Sequence, residues 1–559
     1  MGGILSRVRL ALRVEREFST VLDRLDESPG LPVAAPSSPY WMIPPSPISE
    51  HGAGPDSALP TYVDVVIIGS GITGTSIART LLDEGPAVLK VAMLDARAIC
   101  SGATARNGGH ITPYLYHDYK SLKTEFGAEI AKNIIRFRLA HLAEFLKVAD
   151  EEDLLEGSQC REVQTYDVFF DRALFNEAKA LVWEYLGEFE NERGFWQIMG
   201  KEAAMKEIHA SERVVGAIST RGGAVHPYRL VTGILERLLS SYSESFSLFS
   251  HTPCYEISTE GQFYLVNTSK GILRTSHVVH ATNAWSSHLL EGMRRKIMPM
   301  RATMSAQIPK APKEPLPPYA PHGEPLEAAA RLPRDPYPWF GTRSFVIYPT
   351  PSWTHFDYLT QQPMPPPVLQ QYPHPHAEFM YGGGVGHAYL SPAAIGTGGN
   401  SEIACVDDAG IDLGIRAYLG GALGAYFGSE FGATDAGEPE EPVMKHFWTG
   451  LEGMSADGRP WVGRLPHEIT GRKLGATAPA SGARVAPGEW LCAGYSGEGM
   501  VHAWLCAKAT ARMLLGTDGK SSIASSSSSE TLPDVYRLTM KRWKAANIEE
   551  GLGSSGKQE

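Results

Sequence analysis

The clearest pattern in the chain is a short β-branched run, Tyr62 to Ile68, apolar after Asp64 without polar alternation, as expected of a strand buried on both faces. Six residues rich in glycine follow. Thr75 to Leu82 then carries a helical stretch that stops near Gly85, and a second apolar run, Val88 to Leu94, ends on Asp95. This part of the chain therefore reads strand, turn, helix, strand. Further on, Leu122 to Glu151 is rich in helix formers, with Ile130, Ile134, Ile135, Leu139, Leu142 and Phe145 near helical spacing, which predicts helix packed on a core. Tyr255 to Ala281 alternates in the β manner around Gly261 and Gly271. Ser344 to Tyr348, Thr354 to Thr360 and Phe379 to Tyr381, the last running into Gly382, Gly383 and Gly384, predict strands of a mixed antiparallel sheet. Trp490 to Ala493 reads as strand, and the stretch that ends near Leu515 as largely apolar helix.

The turn after the first strand is Gly69, Ser70, Gly71, Ile72, Thr73, Gly74, a GxGxxG pattern. Gly69 allows the tight turn, Gly71 lets backbone approach a pyrophosphate, and Gly74 lets helix and strand pack closely. The helix N-terminus offers free N–H groups and partial positive charge to phosphates. Asp95, about 20 residues on, stands where a carboxylate bonds a ribose hydroxyl. The chain carries its own control. Gly551 to Gly556 also fits the pattern, but no strand precedes it and the chain ends three residues later, so that match is coincidental. The first match predicts dinucleotide binding.

Length and composition then narrow the class. The chain has 559 residues, 43% hydrophobic and 20% charged, with a formal net charge of −11. A core of this size needs no disulfide staples, and two to four domains are expected. No apolar run approaches the roughly 18 to 20 residues of a membrane-spanning helix, and the acidic balance argues against a nucleic-acid partner. Six cysteines (Cys100, Cys160, Cys254, Cys405, Cys492 and Cys506) contain no CxxC pair, so no metal site is expected and a reducing compartment fits. A cytoplasmic location is expected. Arg7, Arg9, Arg13 and Arg16 hint at mitochondrial import, but Glu15, Glu17, Asp23 and Asp26 oppose it. Residues 1–60, with Pro32, Pro36, Pro39, Pro44, Pro45 and Pro47, form a proline-rich arm, either a loose tail or a strap on the body.

After Asp95 come Ala96, Arg97, Ala98, Ile99, Cys100, Ser101, Gly102, Ala103, Thr104, Ala105, Arg106, Asn107, Gly108, Gly109 and His110, a small-residue loop able to lie flat along an extended ligand. With the glycine turn, "SGATARNGGH" resembles the D-amino-acid oxidase-like (DAO) superfamily of FAD-dependent amine oxidoreductases, most like the γ-glutamylputrescine oxidase and glycine oxidase-like branch and its fungal relatives. The resemblance implies FAD as the dinucleotide, with this loop along pyrophosphate and flavin. Other stretches match too. Gly222 to Leu230 is similar to the segment leading into a helix under the FAD domain. Val278 to Trp285, including Thr282 and Asn283, resembles the strand that returns to the Rossmann sheet and contacts the cofactor. Asp457 to Gly463, with Gly458, matches the family's "DGxPxxG" turn, and Phe356 to Gln361 resembles the same branch.

Gly494, Tyr495, Ser496, Gly497, Glu498, Gly499 and Met500 lead from a strand into a helix, where bare N–H groups suit the negative charge of a reduced flavin. Ser496 to Met500 is therefore assigned to the flavin's pyrimidine edge, in agreement with the family's "GxSGxGM" element. Glu498 opposes that charge, so either it points away or its local acid–base behaviour is unusual. The cofactor-binding set is thus Gly69, Gly71, Ile72, Thr73, Gly74, Asp95, Ala96, Arg97, Ser101, Gly102, Ala103, Arg106, Asn107, Gly108, Gly109, Thr282, Asn283, Gly458, Gly494, Ser496, Gly497, Gly499 and Met500. Candidate catalytic residues are Arg343, as a carboxylate anchor, Tyr358 and His110. No Cys lies between Trp448 and Val462, so the sarcosine-oxidase type of covalent link is not expected. His110 or Cys100 remain as alternatives, and non-covalent FAD is preferred.

The expected fold is α/β: a Rossmann-type, GR2-like FAD-binding domain interleaved with an α+β substrate domain containing a mixed or antiparallel sheet. The FAD domain is expected from 61–110, 222–295 and 446–515, and the substrate domain from 111–221 and 296–445. Proline-rich insertions occupy 309–338, with ten prolines, and 363–376, with six; a serine-rich linker and tail occupy 516–559. The family implies hydride transfer from the carbon beside an uncharged amine to flavin N5, hydrolysis of the imine, and reoxidation by O2 or another acceptor. Partners are then a small amine or amino acid and that acceptor; protein partners stay open. Two alternatives remain: an NAD(P)H-dependent flavin monooxygenase or reductase, and a catalytically silent flavin-binding assembly protein.

Overall fold

Two sheets organise the chain, and both are built from segments far apart in sequence. A computed structural model describes residues 19–307, 341–363, 378–384, 402–427, 444–475, 485–518 and 530–548. The proline-rich 309–338, nearly all of 363–376, most of the serine-rich linker and the second glycine match lie outside these residues, as do the N-terminal arginines.

The first sheet runs in the order Trp461–Arg464, Gly488–Ala493, Gly271–His280, Tyr62–Ile68, Val91–Leu94, Phe246–Phe249, with Cys254–Glu260 and Phe263–Thr268 attached through Gly271–His280. Its centre is parallel: Tyr62–Ile68 pairs with Gly271–His280 on one side and Val91–Leu94 on the other. Val65, Val66 and Ile67 have no exposed surface, which is why this strand reads as an unbroken apolar run. Helices Ile72–Glu84, Ala503–Leu515 and Pro227–Ser241 pack together over one face of this sheet. This is the expected dinucleotide-binding architecture.

The second sheet runs Met444–Ser455, Ile297–Gln307, Phe379–Gly382, Asp357–Gln361, Arg343–Tyr348, Arg161–Phe169, Gly216–Ala224, His110–Ile111, and is mostly antiparallel. Two boundaries differ from expectation. Met444–Ser455, expected at the start of an FAD segment, belongs to the second sheet because it pairs with Ile297–Gln307 from Ile297↔Ser455 to Gln307↔Met444. Gly216–Ala224 likewise straddles the expected break at 222, held by its full pairing with Arg161–Phe169. The helix expected over Leu122 to Glu151 is two, Tyr116–Phe126 and Ala128–Glu151, separated at Gly127.

The described part of the N-terminal arm is a strap. Trp41 is buried and its Nε1 donates to the Asn107 carbonyl at 2.6 Å; Ser37 Oγ donates to the Asp408 carbonyl at 2.7 Å. These bonds hold it across the loop that follows Asp95. Among the described residues no helix is long and apolar enough to cross a membrane.

Candidate active site

The glycine turn shows why each glycine stands where it does. Gly69 has φ +110°, and a Cβ there would lie 2.5 Å from the Ala281 carbonyl oxygen. A Cβ on Gly74 would lie 2.0 Å from the Gly69 oxygen, so only a bare backbone lets helix Ile72–Glu84 start this close to the strand. Gly71 lines the cleft and meets a further constraint. A Cβ there would lie 2.9 Å from Thr104 Oγ1, which accepts the first helical N–H, that of Ile72, at 3.0 Å. The small-residue loop thus reaches back to the helix N-terminus.

Asp95 ends the second strand with its carboxylate already held: Oδ2 accepts from Ser70 N at 3.1 Å and from the Ser70 hydroxyl, and Oδ1 accepts from Arg97 N at 3.0 Å. Burial pushes the carboxyl above its ordinary range, against these hydrogen bonds. Both arginines of the loop are tied down. Arg97 Nη1 lies 3.0 Å from each oxygen of the fully buried Asp408; Arg106 lies 3.6 Å from the same carboxylate and donates to the Ser101 and Thr449 carbonyls. Burial lowers the Arg106 pKa to about 10.

A long cleft, part of it open to solvent, runs between the sheets. Of the residues expected to bind cofactor, it is lined by Gly69, Gly71, Ile72, Thr73, Asp95, Ala96, Arg97, Gly102, Ala103, Arg106, Asn107, Thr282, Asn283, Gly497, Gly499 and Met500. Gly74, Ser101, Gly108, Gly109, Gly458, Gly494 and Ser496 do not line it. Gly108 backs onto His110 and Tyr358, and Gly109 onto the Val225 carbonyl. Gly494 N donates to Asn283 Oδ1 at 3.0 Å, and Ser496 Oγ accepts from Ser455 N at 3.0 Å, so both brace the wall. Gly458 sits in a turn with nothing near a would-be Cβ.

Of the candidate catalytic residues, Tyr358 lines the cleft. His110 stands behind it, ring edge to face at 5.5 Å, with burial lowering its pKa to about 4, so it is neutral. Arg343 lies elsewhere: it donates to the Glu207 carbonyl at 2.7 Å and pairs with the Glu207 carboxylate at 3.2 Å, off the cleft, so the carboxylate-anchor reading is withdrawn. Glu498 points away from the cleft, its carboxylate accepting from Tyr114 N at 3.3 Å and lying 3.6 Å from Arg138 Nη2. The glycines at 497 and 499 do not themselves open the α-helix. A single 3-10 turn, Gly499–Val501, intervenes before Ala503–Leu515.

Glu452 went unnoticed in the sequence. It lines the cleft on strand Met444–Ser455, beside Gly497, where a Cβ would lie 3.3 Å from Glu452 Oε2. Burial pushes its carboxyl up to about 7. Its one sequence signal is a lone acid in the run Phe447 to Met454. Asp408, 311 positions from Arg97, and the strap residues Leu31 and Pro32 on the cleft wall carried no local signal.

The site fits an extended dinucleotide. The glycine cradle admits no side chains at 69 and 74, and two polar atoms on the cleft wall, Trp285 Nε1 and His288 Nε2, are buried with no hydrogen-bond partner among the described residues. Gly69 to Thr73 and Asp95 can hold the diphosphate and ribose. The fold and cleft define a dinucleotide-dependent oxidoreductase. The family described as DAO, FAD dependent oxidoreductase, matches residues 64–513, and the chain belongs to it; FAD is its cofactor.

Similar proteins include gamma-glutamylputrescine oxidoreductase of Escherichia coli (strain K12), 23% identical over 238 residues, covering 41% of this chain and 50% of that protein. Another is the probable oxidoreductase OrdL of Rhizobium meliloti (strain 1021), 24% identical over 277 residues, covering 49% of this chain and 61% of that one. The matches thus span 50% and 61% of these two curated relatives. Among solved structures, glycine oxidase from Geobacillus kaustophilus superposes with TM-score 0.54 at 14% identity, covering 86% of this chain and 99% of that one. An L-amino acid deaminase from Proteus vulgaris, lacking its specific insertion sequence, gives 0.54 at 16% identity over 89% and 98%. These likenesses establish the fold.

Proposed function

We propose that the protein oxidises a C–N bond of a small amine or amino acid. FAD, held by the glycine turn from Gly69 to Thr73 and by Asp95, would supply the two-electron acceptor for the carbon beside an uncharged amine, with O2 or another acceptor to regenerate it. The imine product hydrolyses in water. The observation that carries this reading is the course of the cleft, from the glycine turn at Gly69 to a chamber walled by Tyr358, Glu452, Gly497 and Met500.

In this reading the chain positions and shields rather than donating covalent chemistry. Tyr358, held against His110, closes the chamber, and burial keeps its hydroxyl protonated. The Thr73 and Tyr495 hydroxyls, 2.9 Å apart, tie the glycine turn to the wall of the chamber. Asn283 Oδ1 accepts from Gly494 N, and Ser496, through its N–H on the Gly453 carbonyl at 2.9 Å and its Oγ accepting from Ser455 N, holds the Gly494–Met500 turn on the second sheet. The glycine turn follows the central strand of the one parallel dinucleotide-type sheet found among the described residues. Anaerobic addition of a broad amine and amino-acid panel to holoenzyme should bleach the yellow flavin, and air should then release peroxide. A flavin unmoved by the whole panel but bleached rapidly by NADPH would overturn the reading.

A further inference from the structure

The chamber end of the cleft carries one acidic side chain that no described residue pairs with. Glu452 lines the cleft with its side chain part-buried, and its carboxylate makes no hydrogen bond or ion pair with any described residue. A carboxylate partly withdrawn from water without a partner is costly, and the cost falls when a cation or hydrogen-bond donor arrives. Tyr358 supplies an aromatic ring to the cleft wall, and Phe356 and Tyr114 back it without lining the cleft. Phe356 leans on Tyr358 at 6.4 Å, and Tyr114 meets Phe356 edge-on at 6.5 Å. Aromatic faces beside a carboxylate form a receptor for an ammonium group.

For the opposite charge, no free guanidinium lines the cleft among the described residues. The two arginines on the cleft wall, Arg97 and Arg106, are engaged with Asp408 and with the Ser101 and Thr449 carbonyls. Arg343 is engaged with Glu207 outside the cleft, and Arg138 lies behind Glu498, bonded to Asp118 at 2.8 Å. A carboxylate on the carbon beside the substrate nitrogen would therefore meet Glu452 with no free guanidinium among the described residues to offset the repulsion.

We propose that Glu452 binds the positive charge of the substrate, so that the site takes amines bearing no carboxylate on the carbon beside nitrogen, in preference to α-amino acids. The preference rests on the reading of the protein as an amine-oxidising flavoenzyme; the charge selectivity of the chamber does not. Two probe pairs separate them. Benzyltrimethylammonium and benzoate present one aromatic body with opposite charge and are read by the shift of the flavin spectrum in holoenzyme. Benzylamine and phenylglycine differ by the carboxylate alone and are read by anaerobic bleaching.

The cation should bind at least tenfold more tightly than benzoate, and benzylamine should reduce the flavin at least tenfold more efficiently than phenylglycine. In Glu452→Gln, with flavin content unchanged as the control for folding, both preferences should collapse towards unity; Glu452→Asp should keep part of them. Benzoate binding as tightly as the cation, absence of any cation shift, or a preference unchanged in Glu452→Gln overturns the proposal. Reduction by amino acids rather than amines refutes the substrate class while leaving the amine-oxidising reading intact. A cation preference lost in Glu452→Gln, alongside a flavin that no amine or amino acid reduces, supports the subsite and refutes that reading.

Discussion

Glu452 gives a quantitative test in the protein stripped of FAD. Its carboxyl is raised from the ordinary 4.5 to about 7 by burial. A raised carboxyl means that the folded state holds a proton which the unfolded chain releases at lower pH, so stability falls as pH climbs from about 4.5 through about 7 and is flat above. The gap, at about 1.4 kcal/mol for each pH unit, is worth about 3 kcal/mol. Glu452→Gln keeps the shape and removes the titration. The variant apoprotein should thus be more stable than the parent by about 3 kcal/mol at pH 8, by under about 1 kcal/mol at pH 5, and not at all below pH 4. Urea titrations followed by tryptophan fluorescence at the three pH values measure the difference directly. A variant equal to or less stable than the parent at pH 8 would show that Glu452 is solvated or paired in solution, and the reasoning from an isolated carboxylate would fail.

Three further outcomes follow from the geometry. Gly74→Ala places a Cβ 2.0 Å from a backbone oxygen and must displace the turn; FAD affinity, from fluorescence of released flavin, should weaken roughly tenfold or more, about 1.4 kcal/mol or above. Asp408→Asn leaves the buried Arg97 and Arg106 without their shared carboxylate; a loss of about 3 to 5 kcal/mol in urea titration is expected, and a change within about 0.5 kcal/mol would refute the assignment. Acid precipitation should leave the yellow colour in the supernatant, because the buried Cys100 thiol, pushed well above its ordinary range, is a poor nucleophile; a yellow pellet would establish a covalent link.

The local parts of this protein were legible in its sequence, since each is dictated by short-range chemistry. The run from Tyr62 to Ile68 is apolar without alternation because both faces of the central strand are covered. Gly69 and Gly74 had to be glycine because backbone oxygens stand within 2.5 Å of any Cβ. The order strand, glycine turn, helix, strand, acid needed no knowledge of the remaining chain, and it pointed to a dinucleotide. What the tertiary structure decided was charge. Whether Arg97, Arg106 and Arg343 were free depended on Asp408 and Glu207, which no spacing links to them, and all three proved engaged. Glu498 looked ill placed until Arg138, from a helix 360 positions earlier, drew it aside. Glu452 looked like one acid in a strand until the pairing of Met444–Ser455 with Ile297–Gln307 set it in the cleft without a partner. Backbone conformation and burial pattern act over a few residues, so a sequence displays them. The state of a charge is set by whatever folds against it, and only the assembled structure shows that.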